Sequence, residues 1–142
     1  MTAPDERTLD LLPGGEAQAV ARTFLRETLQ TWALDGVGEV IELLTCELVG
    51  NVVRHAGSPM TLHMTRDAST IRVEVDDESR HPPVLTKRGP LARGGRGLVL
   101  IDALATNWGS DMRDDGKSVW FVLDTKPPKR TSELTDRAPH RG

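Results

Sequence analysis

Two polar residues four positions apart, Glu47 and Asn51, are the first candidates for chemistry in this sequence. They fall in an apolar stretch that is predicted to be helical, where residues at this spacing share a face. One interpretation is that they belong to the solvated face of that helix. The other is that the Asn51 amide oxygen binds Mg²⁺, which prefers oxygen ligands together with substrate phosphates, while Glu47 orients or deprotonates an attacking hydroxyl.

A third candidate, Asp77, stands at the end of a predicted β-strand. A carboxylate in this position can accept a hydrogen bond from an exocyclic amine, such as the adenine N6. It can equally form a turn by accepting hydrogen bonds from its own backbone. The residue alone leaves both alternatives open.

A glycine-rich run, Gly94-Gly95-Arg96-Gly97, precedes an apolar stretch that begins at Leu98. Glycine lets the backbone approach a ligand closely, and the first turn of the following helix offers free N–H groups and the positive end of the helix dipole. Phosphate is therefore the expected ligand. The run is not a Walker A loop, because no Gly-Lys-Ser/Thr follows, and it is not a dinucleotide-binding fingerprint, because no strand leads directly into it.

The elements that must position these residues are predicted from the spacing of the apolar side chains. In chain order they are a first strand near 9–12, helices at 16–33 and 39–56, strands at 60–66 and 70–75, a short helix at 98–105, and strands at 106–109 and 117–123. A long loop at 76–97 separates the second hairpin strand from the short helix. This order predicts an α+β fold, a two-layer sandwich of a mixed β-sheet with helices on one face.

Composition excludes several classes of protein. The 142 residues suffice for one domain with a buried core, which we expect over 1–124, followed by a disordered polar tail at 125–142. Aromatic residues make up only 4% and the net charge is -3, so nucleic acid is not an expected partner. A single cysteine, Cys46, excludes an internal disulfide and a cysteine-rich zinc site. No long apolar run predicts a membrane span, so we expect a cytoplasmic protein.

In order and spacing, the motifs resemble those of the GHKL ATPase superfamily, whose domains have the Bergerat, or histidine-kinase-like ATPase, fold. The segment Glu47-Leu48-Val49-Gly50-Asn51-Val52-Val53-Arg54-His55-Ala56 resembles the N box of that superfamily. The resemblance implies that Asn51 ligates Mg²⁺, that Glu47 is the catalytic base and that Arg54 belongs to the nucleotide site.

Two further segments resemble the glycine boxes of the superfamily. Asp77-Glu78-Ser79 resembles the G1 box, with Ser79 where the family has glycine, and the resemblance implies that Asp77 binds adenine. Gly95-Arg96-Gly97-Leu98 resembles the G2 box, which follows a mobile ATP lid, here at about 82–95. Ser118 occupies the place of a family Ser/Thr that supports the adenine end of the nucleotide.

Within the superfamily, the chain is most similar to the small bacterial anti-sigma-factor serine/threonine kinases. This resemblance implies ATP and Mg²⁺ as cofactors, with a small antagonist protein and a sigma factor as partners. Members of this group transfer the γ-phosphate to a Ser or Thr of the antagonist, and they often form homodimers. The alternative is a nucleotide-gated protein-binding module of the same fold without phosphotransfer activity.

Overall fold

The computed structural model describes residues 5–34, 36–83 and 96–125, with Arg96 and Gly97 as backbone only, and within them five strands and three α-helices follow the expected order. The elements are β1 (Glu6–Leu11), α1 (Ala17–Thr31), α2 (Gly38–Asn51), β2 (Met60–Arg66), β3 (Thr70–Asp77), α3 (Arg96–Leu104), β4 (Asn107–Arg113) and β5 (Gly116–Asp124). One π-helical turn, Val52–Ala56, continues from α2.

The strands form one sheet in the order β1-β2-β3-β5-β4, and every neighbouring pair is antiparallel. The α+β class and the two-layer arrangement are confirmed. The sequence predicted a mixed sheet, but the sheet is antiparallel throughout. The reason is that α1 and α2 together return the chain beside β1 in the opposite direction. The strands on either side of α3, β3 and β4, do run the same way, but β5 lies between them.

Strict alternation along the strands gives the sheet two different faces. One face is apolar and forms a single core with the helices; its buried apolar strand residues are Leu11, Met60, Leu62, Met64, Ile71, Val73, Val75, Val119, Phe121 and Leu123. The helices complete that core with side chains at helical spacing, among them Ala21, Leu25, Ile41, Leu44, Leu48 and Ile101. The sandwich therefore has one layer of sheet and one of helices.

The opposite face of the sheet is polar and partly exposed. His63, Arg72, Glu74 and Asp76 alternate with the core residues of β2 and β3 on this face. Of the candidate residues on the strands, Asp77 lies on the helix side of the sheet and Ser118 lies on the polar side. None of the helices in the described part of the chain is long and apolar enough to cross a membrane.

Candidate functional site

The end of α2 carries Glu47 and Asn51 on one half-buried face, while the neighbouring Leu48 and Val49 are buried in the core. Arg54 donates a hydrogen bond from Nη2 to Oδ1 of Asn51 at 2.7 Å. This contact fixes the orientation of the amide, with its oxygen as the acceptor. Because an amide oxygen has two lone pairs, one remains for a cation. No side chain in the described part of the chain hydrogen-bonds the Glu47 carboxylate.

The π-helical turn after α2 sets the position of Arg54. The turn ends at Gly57, whose φ of +60° is readily adopted only by glycine and whose N–H donates to the Val52 carbonyl oxygen at 2.8 Å. Isolated π-helical turns occur often at functional sites. Here the turn follows directly on Asn51, the proposed Mg²⁺ ligand.

Two residues that the sequence analysis did not single out, Gln18 and Gly50, shape the same region. Gln18 on α1 donates from Nε2 to the Cys46 carbonyl oxygen at 2.8 Å. A Cβ at Gly50 would lie 2.7 Å from Gln18 Nε2 and 3.0 Å from Arg54 Nη1, so the glycine leaves room for both side chains. An isolated glycine inside a helical pattern was the available signal.

Asp77, the last residue of β3, is buried on the helix side of the sheet, with 3% of its surface exposed. Its cross-strand partner Lys117 is also buried, and Nζ lies 3.0 Å from Oδ2 and 3.2 Å from Oδ1 of Asp77. The backbone N–H of Ser79 donates to Oδ1 at 2.7 Å. A carboxylate offers about four lone-pair positions, so these three contacts leave one for an exocyclic amine.

Lys117 is the functional candidate that sequence reasoning missed. It alternates with Val119 and Phe121 along β5, and a lysine in register with core residues signals a buried partner. Gly116, just before it, has a φ of +156°, and a Cβ there would overlap the carbonyl oxygen of Asp77. The start of β5 and the end of β3 thus approach each other too closely for any side chain at this position.

The two serines predicted for the adenine end are in different places. Ser79 follows Asp77, and its Oγ accepts the backbone N–H of His81 at 3.1 Å. Ser118, although buried, lies on the opposite face of the sheet from Asp77. It pairs in the ladder with Asp76, and its Oγ accepts a hydrogen bond from Arg113. The structure therefore brings Lys117, and not Ser118, into contact with the Asp77 carboxylate.

Helix α3 begins at Arg96, so the backbone of Arg96 and Gly97 forms its first turn, as the glycine run predicted. Leu98 is buried, with 4% of its surface exposed, and anchors this turn to the core. Gly95 and residues 84–95 of the expected lid lie outside the described residues, as do residues 126–142 of the expected tail.

A cavity of about 470 Å³ adjoins Asp77, but its lining does not include Glu47 or Asn51. Most of the charged residues around it are acidic, namely Asp10, Asp76, Asp77, Glu78 and Asp115, with Arg113 as the basic one. An acidic lining repels a triphosphate. This cavity is consequently not the place for the nucleotide phosphates, which the start of a helix such as α3 suits better.

Comparison with known proteins decides the family. The protein-family model that describes the histidine kinase-like ATPase domain matches residues 15–123 of this sequence. This span includes Glu47, Asn51, Asp77 and Lys117. The chain belongs to the histidine kinase-like ATPase domain family. An uncharacterized protein of Streptomyces coelicolor is 36% identical over 87 residues, which cover 58% of this chain and 83% of that protein.

Domains of this family bind ATP, generally with Mg²⁺, and the described residues fit that ligand. The buried Asp77 carboxylate keeps one acceptor position for an amine. The Asn51 amide oxygen keeps one for a cation. The first turn of α3 presents backbone N–H groups, which suit phosphate at the start of a helix.

Proposed function

We propose that this histidine kinase-like ATPase domain is an anti-sigma-factor-type serine/threonine protein kinase. It uses ATP to phosphorylate a small antagonist protein and thereby regulates a sigma factor. The observation that carries the proposal is the pair on α2: Asn51 is oriented by Arg54, and Glu47 stands one turn away with a carboxylate that no described residue engages.

The proposed roles follow from the chemistry of each group. Asn51 holds Mg²⁺ through its amide oxygen, and Asp77 accepts a hydrogen bond from the adenine amine. The first turn of α3, at Arg96 and Gly97, binds phosphate oxygens through backbone N–H groups. Ser79, Leu98 and the undescribed Gly95 belong to the same binding site by their place in the motifs. Bound Mg-ATP supplies the phosphoryl group for transfer.

Glu47 is the proposed general base. It accepts the proton of the acceptor hydroxyl, and a carboxylate free of competing hydrogen bonds is available for that task. Phosphoryl transfer depends mostly on positioning and on charge stabilisation. Glu47 therefore has a role in transfer that is separate from nucleotide binding.

The experiment is transfer of labelled phosphate from ATP to a purified anti-sigma-factor antagonist. We expect Glu47→Gln to lower the transfer rate by about 10²–10⁴-fold, the usual contribution of a general base. Nucleotide affinity should stay within about twofold of the wild type, because the proposed binding groups are untouched. Glu39→Gln, in the first turn of the same helix, is the matched control and should transfer normally. Equal transfer by the Glu47 variant would contradict the role.

The second candidate function is a nucleotide-gated protein-binding module without transfer. The contacts of Asp77 favour it, because Lys117 already neutralises the carboxylate and Ser79 stands where the family has glycine. In this case ATP promotes complex formation with the antagonist while no label reaches that protein. The same assay, with a pull-down in the presence and absence of ATP, separates the two functions.

A further inference from the structure

Three side chains with metal-ligating chemistry meet on the polar face of the sheet. His63 on β2 is the cross-strand partner of Glu74 on β3, and Asp76 lies two residues further on the same face. One ligand atom from each lies within 4.8 Å of the others. The nucleotide site does not use them, because Asp77 points to the opposite side of the sheet.

We propose that His63, Glu74 and Asp76 bind a divalent transition-metal cation, for which Zn²⁺ is the best match. An imidazole nitrogen combined with carboxylate oxygens suits Zn²⁺ and its neighbours, whereas Mg²⁺ and Ca²⁺ prefer oxygen ligands. Tetrahedral Zn²⁺ with bonds of about 2.0–2.1 Å holds its ligand atoms roughly 3.3 Å apart. The ligand atoms of the three side chains, which lie within 4.8 Å of one another, would move closer together on binding the ion.

The surroundings of His63 orient its ring for this task. Nε2 faces Oδ2 of Asp76 at 3.0 Å, and Nδ1 lies 3.4 Å from the Oγ1 of Thr8 on β1. When Nδ1–H donates to Thr8, the lone pair stays on Nε2, which is the nitrogen beside the carboxylates. Metal-binding histidines commonly have such a partner on the second ring nitrogen.

The carboxylates of Glu74 and Asp76 lie on the same face of β3, with one oxygen of each within 4.8 Å of the other. Burial and the hydrogen bond with Asp76 raise the pKa of Glu74. Burial also acts to raise the pKa of Asp76, but hydrogen bonds with Glu74, Ser118 and His63 outweigh it and leave that pKa lowered. A divalent cation between the two carboxylates would offset the repulsion between their negative charges.

One buried oxygen of this cluster has no hydrogen bond from the described residues. Oδ1 of Asp76 is buried and lacks a hydrogen bond within the described part of the chain. The nearest cation is the Arg113 guanidinium, whose Nη1 lies 3.8 Å away. This oxygen is buried with only a distant guanidinium beside it, and a bound cation would stabilise it at shorter range.

Two arginines compete with a metal for the carboxylates. Arg72 Nη1 lies 2.7 Å from Oε1 of Glu74, and Arg113 approaches Asp76. Their side chains are 38% and 40% exposed, so both can turn toward solvent when a cation binds. Arg72 also stacks on the ring of Trp120, 5.0 Å from its centroid, and keeps this contact as an alternative to Glu74.

The test is calorimetric titration of the full chain with Zn²⁺ alone, without nucleotide or Mg²⁺. We expect one bound ion per chain, and a Co²⁺ complex with the absorption of a tetrahedral site. His63→Ala should weaken Zn²⁺ binding by more than about tenfold, since even the loss of a second-sphere partner costs 10–100-fold. Thr8→Val should weaken it by about tenfold for the same reason. His63 lies on the exposed face, so its substitution spares the core, and thermal unfolding checks this.

The chain offers a sharp control, because it has four histidines. The variant with His55, His81 and His140 all replaced by alanine keeps only His63 and should bind Zn²⁺ like the wild type. Cys46 is present in every variant, so a thiol site would be insensitive to His63→Ala. Unchanged Zn²⁺ affinity in His63→Ala, loss of binding in the triple variant, or no binding by the wild type would each overturn the proposal.

Discussion

The Asp77–Lys117 pair is a buried ion pair in the position proposed for binding adenine. The exposed fraction of the side chain is 1% for Asp77 and 10% for Lys117. Two charges taken out of water are stable only as a pair with further hydrogen bonds, and Ser79 supplies one of these. Asp77 therefore has one task in stability, in addition to its proposed task in nucleotide binding.

These tasks can be separated by a pair of variants. Asp77→Asn leaves Lys117 buried without a counterion, and we expect it to lower the free energy of unfolding by about 3–5 kcal/mol. The double variant Asp77→Asn with Lys117→Met removes the stranded charge and should recover most of that loss. Urea unfolding measures the stability, and ATP titration measures the binding.

The ATP affinity of the two variants should not change in parallel with their stability. Both variants lack the Asp77 carboxylate, so the double variant should be stable yet bind ATP weakly. Recovery of ATP affinity together with stability would mean that Asp77 acts only through the fold. Unchanged stability in the single variant would mean that the ion pair contributes nothing net.

At the scale of elements, Glu42 joins the first two helices. Its carboxylate on α2 lies 2.9 Å from Arg26 Nη2 and 3.1 Å from Arg22 Nε, both on α1. The hydrogen bond from Arg26, helped by both positive charges, lowers the pKa of Glu42 despite some burial. A folded-state pKa below the unfolded value stabilises the protein above the unfolded pKa, and this stability is lost as pH falls through the folded one.

Glu42→Gln should therefore have a pH-dependent effect. We expect a loss of up to about 1 kcal/mol at pH 7, the upper range for such a partly exposed pair. Below about pH 4.3, the ordinary pKa of a glutamate, the difference from the wild type should shrink and then vanish. Urea unfolding across pH measures this, with Glu27→Gln on the exposed side of α1 as control. A loss that is the same at pH 3 and pH 7 would contradict the ion-pair account.

The elements with a clear apolar period were predictable, whereas β4, which is mostly exposed, was expected only over 106–109. The stripe on α1 and the alternation of β2, β3 and β5 fixed their type and most of their bounds. The antiparallel sheet was not predictable, because β5 inserts between β3 and β4 and no local pattern specifies a partner strand. The π-helical turn was not predicted either, because Val52–Ala56 continues the apolar pattern of α2 without a break.

The candidate site was predictable to the extent that its residues lie on regular elements. Asn51, Asp77 and the first turn of α3 follow from motif order. The face on which a residue of β5 lies depends on register, and the strand pairing puts Lys117 beside Asp77 and Ser118 on the opposite face. A one-residue difference in register moves a side chain to the other face of a sheet.

At the scale of the whole molecule, the proposed nucleotide site joins parts of the chain that are distant in sequence. Asn51 ends α2, Asp77 ends β3, and Arg96 begins α3. A ligand that binds only when these ends are assembled stabilises the folded state over the unfolded one. Mg-ATP at 100 times its dissociation constant should add about 2.7 kcal/mol, which raises the melting temperature by several degrees for a domain of this size.

Asn51→Ala tests whether the magnesium ligand is part of this linkage. The variant should melt near the wild-type temperature without ligand, since Asn51 is half-buried at the end of its helix, but it should lose most of the Mg-ATP shift. Asn107→Ala, an exposed asparagine at the start of β4, is the matched control and should keep the full shift. When EDTA is added with ATP, the wild type should show the same small melting-temperature shift as Asn51→Ala, because both changes remove the proposed metal contact. A full shift in Asn51→Ala would place the Mg²⁺ ligand elsewhere, while a shift lost equally in Asn107→Ala would attribute the effect to general destabilisation.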